Sequence, residues 1–387
     1  MYSIFSYWGH SVRVNWPERF DNLEKFLRCY FEPYFDVRNN EPSVDADFSV
    51  SLIIGGYPVD TPDFNTLSTI TIDASKGFLN CTGKTTEQSG SRWVLMEPFG
   101  ILVKIEPQDR TIFMWGRDEE RFQIPVLRVI EDLILNEVQN SGAVVVHASA
   151  TVTSNRATLV IGNKKAGKTT SLCRLLNGFE SKKMANDNLC LRILNGDLVA
   201  RGWPSFFKVS VATLVSNPQL YGDFPSFAKD TLDSDLDLWS VYEKVALFPA
   251  QVAMRFGTTI CPEAPCSAFV FPEFNAAHPV RVSRIGMDEV AQELPEFLQG
   301  CKNPNHPEWL HLNPVNGEAV LDSLIRIIAF IKEKDFPLYR INWGPSLDDL
   351  LMTIPELRPF SKGVLACSSS STCSDAFPPL PNAPQRK

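Results

Sequence analysis

The run Gly162-Asn163-Lys164-Lys165-Ala166-Gly167-Lys168-Thr169 fits the spacing Gly-x-x-x-x-Gly-Lys-[Ser/Thr]. The apolar run Ala157-Thr158-Leu159-Val160-Ile161 ends at its first glycine, and a helical stretch begins at Lys168, which is the setting that gives the spacing meaning. Glycines let backbone N–H groups turn inward around phosphate oxygens, and the start of a helix adds a favourable dipole. Lys168 sets an ammonium group against the outer phosphates of a nucleotide, and Thr169 offers a hydroxyl to Mg²⁺. The expected cofactors are therefore ATP and Mg²⁺. The expected binding residues are Gly162, Asn163, Lys164, Lys165, Ala166, Gly167, Lys168, Thr169 and Thr170. Lys164 and Lys165 add positive charge and fit a solvated turn equally well.

An acidic residue must complete such a site, and Asp187 in Met184-Ala185-Asn186-Asp187-Asn188 is the candidate. It can order Mg²⁺, together with Thr169, or accept a proton from a substrate hydroxyl; the bland alternative is a polar turn entering a strand. His147 follows the run Val144-Val145-Val146, fifteen residues before Gly162. In a sheet of neighbouring strands it reaches the same edge as the loop, where an imidazole can donate a hydrogen bond. Arg201, Lys208, Lys244, Arg255 and Arg340 could stabilise charge on a transferring group. Arg201 is preferred because it follows soon after a core strand. The catalytic candidates are thus Asp187, His147, Lys168 and Arg201.

The series His147-Ala148-Ser149, the loop, then Met184-Ala185-Asn186-Asp187-Asn188 resembles the HPr kinase/phosphorylase C-terminal domain. That domain is itself similar to the nucleotide-binding core of phosphoenolpyruvate carboxykinase. Similar proteins include kinases acting on lasso peptides and other natural-product intermediates. The resemblance spans residues 143 to 193 and implies an α/β core with a P-loop, a mixed sheet and a kinase activity. Where the bacterial HPr enzymes carry two consecutive acidic residues, this chain has Asn186-Asp187, a departure that bears on the phosphorylase half of their activity.

The elements that would hold these residues follow from periodicity. Residues 126–138 carry Val126, Val129, Ile130, Leu133, Ile134 and Val138 as a helical stripe. Strand-like runs follow at 143–147, 157–161 and 188–193, with a helix from Lys168 to Asn177 between the last two. A further strand is expected at 267–271 and a helix over 317–334. Before them, residues 1–125 alternate short apolar runs with turns, such as Phe48–Ile54 and Ile101–Ile105, around one helix from Asn22 to about Phe31. The expected organisation is an N-terminal α+β domain with a mostly antiparallel sheet over 1–125 and a P-loop kinase-like α/β domain over 126–360. A Ser/Pro-rich disordered tail is expected over 361–387. Residues 204–237, rich in Ser, Asp and Pro, suggest long loops over a site.

Composition bounds the partners. A formal charge of -8 argues against nucleic acid or an anionic membrane as a broad-surface partner. No stretch approaches the roughly 20 apolar residues of a membrane span, and the first residues lack a secretory pattern, so a cytoplasmic protein is expected. The nine cysteines are read as reduced thiols, without the close pairs of a zinc site.

The leading reading is a kinase that transfers the γ-phosphoryl group of ATP to a hydroxyl of a peptide, protein or small molecule. The alternative is a nucleotide-binding regulatory module without transfer. An ordinary hydrolase fits less well, because Asp187 precedes its apolar strand instead of following one. The N-terminal domain is left to hold the acceptor or to make a homo-oligomer contact, and nothing in its residues decides between the two.

Overall fold

Tyr2–Tyr7 (β1) and His10–Asn15 (β2) pair in register across the two-residue turn Trp8-Gly9. Both turn residues have positive φ, 50° and 87°, as a hairpin matching the strand twist requires. The computed structural model describes residues 1–17, 20–41, 45–64, 68–73, 81–163, 166–210, 213–214, 217, 219–220, 244–274, 281–299, 308–343 and 354. Among them the chain divides into two compact units, 1–143 with 299 and 308–321, and 144–298 with 322–343 and 354.

In the first unit, Asp21–Phe31 (α1) buries Leu23, Phe26, Leu27 and Tyr30 on one face, the spacing that made it legible as a helix. The strands Asp36–Asn39 (β3), Phe48–Ile54 (β4), Ser68–Asp73 (β5), Cys81–Gln88 (β6), Ser91–Met96 (β7), Ile101–Glu106 (β8) and Thr111–Gly116 (β9) complete a nine-stranded sheet. Its order is β3-β1-β2-β4-β9-β8-β7-β6-β5. The sheet is mixed, because β2–β4 and β4–β9 are parallel while its other pairs are antiparallel. Gln123–Asn140 (α2), which opens the second domain in the sequence pattern, packs with α1, β1 and β2. It carries a buried charged group, in which Arg128 meets Glu131 at 3.6 Å and Asp132 at 3.3 Å. Tyr30 Oη donates to Glu131 at 2.7 Å, and Trp309 Nε1 donates to Asp132 at 2.6 Å.

The second unit is built on Val144–Thr153 (β10), Arg156–Ile161 (β11), Lys168–Gly178 (α3), Lys182–Ala185 (β12), Asn188–Leu194 (β13) and Asp197–Gly202 (β14). Phe207–Ser210 (β15), Lys244–Leu247 (β16), Pro249–Arg255 (α4), Glu263–Phe274 (β17), Arg281–Arg284 (β18) and Met287–Glu293 (α5) follow. Leu298–Gln299 (β19), Gly317–Glu333 (α6) and Leu338–Trp343 (β20) complete the described elements. β10 runs past the expected end at His147, and its two halves have different partners: Val144–His147 pair with β13, and Ala148–Thr153 with β11. β17 is divided likewise, antiparallel to β14 near Pro265 and parallel to β11 and then β20 further on. These two long strands close β10, β11, β17, β14 and β13 around a core of Val146, Ala148, Leu159, Ile161, Leu189, Leu191, Phe269 and Phe271. Leu324 and Ile327 of α6 also belong to it. On α3 sits the small β15–β16 sheet, where Leu172, Cys173 and Leu176 pack with Phe207, Val209, Leu247 and Val252.

The chain is thus mixed α/β. Among the described residues no helix is long and apolar enough to cross a membrane. Cys29, Cys81, Cys173, Cys190, Cys261 and Cys266 are free thiols; Cys301, Cys367 and Cys373 lie outside the described residues, as do the expected tail 361–387, Lys164, Lys165 and residues 221–237 of the expected long loops.

Candidate functional site

β11 is buried from Ala157 onward, so the loop after Ile161 leaves the sheet from a fixed point. Gly162 is needed for close approach: a Cβ there would sit 3.1 Å from Ala166 Cβ and 3.4 Å from the Pro272 carbonyl oxygen. Ala166 N–H donates to Asn163 O at 3.1 Å, turning the loop back on itself. Gly167 then takes the left-handed conformation, φ 104°, at the N-cap of α3, which a side chain would resist. It supplies no side-chain cap to α3, which leaves first-turn N–H groups for an anion. Ser149 Oγ donates to Lys168 O at 3.1 Å and ties β10 to the first turn of the helix. Thr169 is half-buried and Thr170 is buried.

Lys168 is only 7% exposed. Its Nζ donates to two carbonyls of its own loop, Gly162 O at 2.7 Å and Asn163 O at 3.1 Å. Burial is the main force that lowers its pKa to about 8; the Lys244 ammonium lowers it further, while Asp187 opposes both. His147 pairs with Asn188 across β10 and β13, and the next residue toward the loop edge is Asp187, in the turn between β12 and β13. His147 Nε2 lies 3.3 Å from Asp187 Oδ1. Burial first, and then Lys168 and Lys244, hold the imidazole pKa below its ordinary value against the pull of Asp187. At neutral pH the ring is therefore neutral, with Nε2–H placed to donate to the carboxylate.

The structure thus gathers Lys168, Asp187 and His147, three of the four expected catalytic residues, at one loop edge. Arg201 is held elsewhere in the ladder: it pairs with Glu263 across β14 and β17, and its guanidinium lies 3.5 Å from that carboxylate. Arg340 is bound by Glu273 at 2.8 Å and Glu293 at 2.5 Å. Lys208 lies opposite Ala246 in the β15–β16 ladder, and Arg255 ends α4. Lys244, ranked no higher than these by sequence, is the one whose charge reaches both Lys168 and His147. Sequence reasoning gave no role to Ser149 or Asn186. Asn186 is 6% exposed, donates from Nδ2 to Phe206 O and accepts from Ser205 Oγ, both at 3.4 Å. Its one signal in the sequence was its position beside the aspartate.

The donor set suits a magnesium nucleotide: a buried ammonium, uncapped helix N–H groups, a threonine hydroxyl and one half-exposed carboxylate. Mg²⁺ is held by one or two protein oxygens plus substrate phosphates, and among the described residues no group of three or more His, Cys, Asp and Glu forms a closed metal cage.

No protein-family model matches the chain, and no curated protein does. Among solved structures, the HPr(Ser) kinase/phosphatase from Coxiella burnetii aligns with 55% of this chain and 93% of its own, at 12% identity and a TM-score of 0.24. At that score the likeness carries no weight for fold or function.

Proposed function

We propose that the chain is an ATP-dependent kinase whose loop 162–169 holds the phosphates and whose Asp187 receives the proton of an acceptor hydroxyl. The acceptor is a peptide, a protein or a small molecule. The observation that carries this reading is the meeting of Lys168, Asp187 and His147 at one strand edge, with the carboxylate fixed by the imidazole at 3.3 Å. In phosphoryl transfer the protein acts by positioning and charge neutralisation, and each of these side chains has such a part. Lys168 exchanges its own loop carbonyls for phosphate oxygens, which restores its full positive charge. Asp187 accepts the hydroxyl proton as the acceptor oxygen bonds to the γ-phosphorus and the bond from that phosphorus to the β-phosphate oxygen breaks, releasing ADP, and His147 Nε2–H holds the carboxylate in place. Thr169 and Asp187 would hold Mg²⁺, which supplies charge neutralisation on the phosphates when bound.

Incubation of the purified protein with γ-labelled ATP, Mg²⁺ and a panel of hydroxyl-bearing peptides, proteins and small molecules tests the proposal. Label should pass to an acceptor in the wild type and not in Lys168→Ala. A second reading, a nucleotide-gated binding module, draws on Asn186 being a buried structural amide where a second carboxylate would be expected. Nucleotide binding without labelled product across the panel would favour it and end the kinase proposal.

A further inference from the structure

β11 runs into the phosphate loop at one end, and a second recess opens at its other end, beside Arg156. The recess has a volume of about 390 Å³, within the roughly 300–1,000 Å³ of small-molecule sites. Its walls come from the starts of β11 and β14, from β17 and from the segment joining α6 to β20, all in the second unit. They are fixed from behind. Arg156 Nη2 donates to Cys266 O at 2.8 Å, and the arginine is otherwise exposed. Asp197 stands opposite Leu194, directly after the Asn195-Gly196 turn, whose residues take φ 52° and 83°. The Phe336 ring packs against those of Phe269 and Phe330, with centroids 5.9 Å and 6.1 Å away. Lys334 Nζ sits over the Phe330 ring, 5.7 Å from its centroid, and lies 3.5 Å from Glu333. Arg156 and Asp197 both line the recess, yet among the described residues neither forms an ion pair, with the other or with a third group. Opposite charges held apart in one recess, beside two phenylalanine rings, complement a molecule that carries both charges on an apolar body.

We infer that this recess binds a free α-amino acid with an aromatic or branched apolar side chain. The carboxylate of the ligand meets the Arg156 guanidinium, whose paired N–H groups suit both oxygens of a carboxylate, with Lys334 as a second positive group on the lining. The ligand's ammonium meets Asp197, and its side chain lies against Phe330 and Phe336. The six residues of β11 separate Arg156 from the loop, a span of about 20 Å in extended backbone. An amino acid held here is therefore out of reach of a phosphoryl group on the loop. The recess is a ligand site apart from phosphoryl transfer, and the inference stands without that reading.

Isothermal titration of L-phenylalanine and L-leucine into the full-length protein tests this, with hydrocinnamate, which lacks the ammonium, and phenethylamine, which lacks the carboxylate, as half-charged probes. Saturable binding of the amino acids is expected, and each half-charged probe should bind at least about 10-fold more weakly than L-phenylalanine, the effect of losing one charge-assisted contact. Asp197→Asn should weaken L-phenylalanine about 10-fold and remove its advantage over hydrocinnamate. Arg156→Gln should weaken it likewise and remove its advantage over phenethylamine. Lys168→Ala should bind L-phenylalanine as the wild type does, which sets this site apart from the phosphate loop. No saturable binding of either amino acid up to about 10 mM, half-charged probes that bind as well as L-phenylalanine, or Asp197→Asn and Arg156→Gln proteins that bind as the wild type does would each overturn the inference. So would loss of binding in Lys168→Ala. Both substituted side chains are exposed, and far-UV circular dichroism checks folding; should Arg156→Gln not fold, Lys334→Gln removes the other positive charge of the lining and the same comparison decides.

Discussion

Replacing Lys168 by methionine should change how the stability of the protein depends on pH, in a direction and by an amount that the burial of the side chain dictates. The ammonium is 7% exposed and its pKa falls from 10.5 to about 8. In the unfolded chain the group keeps its proton until pH approaches 10.5, whereas in the folded protein it loses it above about 8. Between those values the unfolded state binds more protons, so stability rises with pH. The cost of burying the charge is fully present below pH 8, where it is about 3 kcal/mol from a shift of 10.5 to about 8, and is relieved as pH rises toward 10.5. Over pH 7 to 9.5 the relief comes to about 2 kcal/mol. Methionine keeps most of the volume and has no charge to relieve, so the wild type should gain about 2 kcal/mol on Lys168→Met over that range. Urea unfolding of both proteins at the two pH values measures this, since groups unchanged by the substitution cancel in the difference. A difference constant with pH, or one that moved in favour of the variant, would refute the buried, strained ammonium from which the phosphate site is argued.

Other perturbations follow from the same geometry. Asp187→Asn should lower kcat by roughly 10²–10⁴-fold, the range for loss of a positioned base, while steady-state kinetics show a KM for ATP changed far less. Gly167→Ala forces a side chain into the left-handed backbone at φ 104° and should cost about 1–3 kcal/mol in urea unfolding, with weakened nucleotide binding in the same preparation. In the first unit, Arg128→Met strands the buried carboxylates of Glu131 and Asp132 and should cost about 3–5 kcal/mol, read as a fall in the unfolding midpoint.

The loop was legible because its chemistry is local: the glycines, the lysine and the threonine lie within eight consecutive residues between a strand and a helix. His147 and Asp187 were legible as candidates, but what joins them is the β10–β13 register, which sets His147 opposite Asn188 and which no local pattern encodes. The length of β10 was missed for a related reason. Its second half, Ala148–Thr153, is buried on both faces, so the alternation that marks a half-exposed strand is absent. Lys244 could not be ranked above Arg201 because the two differ in partners distant in sequence: Glu263 holds the arginine, whereas the lysine starts a strand of the small antiparallel sheet packed on α3. Asn186 looked like a missing acid, and only its burial and its contacts with Ser205 and Phe206 give the amide a purpose. Among the hairpin turns, Trp8-Gly9, Ser89-Gly90, Ser154-Asn155 and Asn195-Gly196 all place both residues at positive φ. Three of the four contain the glycine such turns favour.

Isothermal titration of Mg²⁺·ATP into the wild type and into Lys168→Ala tests the phosphate site most directly. Saturable binding to the wild type is expected, weakened at least about 10-fold by the substitution, since a charge-assisted hydrogen bond contributes roughly 1.5–3 kcal/mol. An absence of binding to the wild type, or equal binding to both proteins, would contradict a nucleotide seated on this loop.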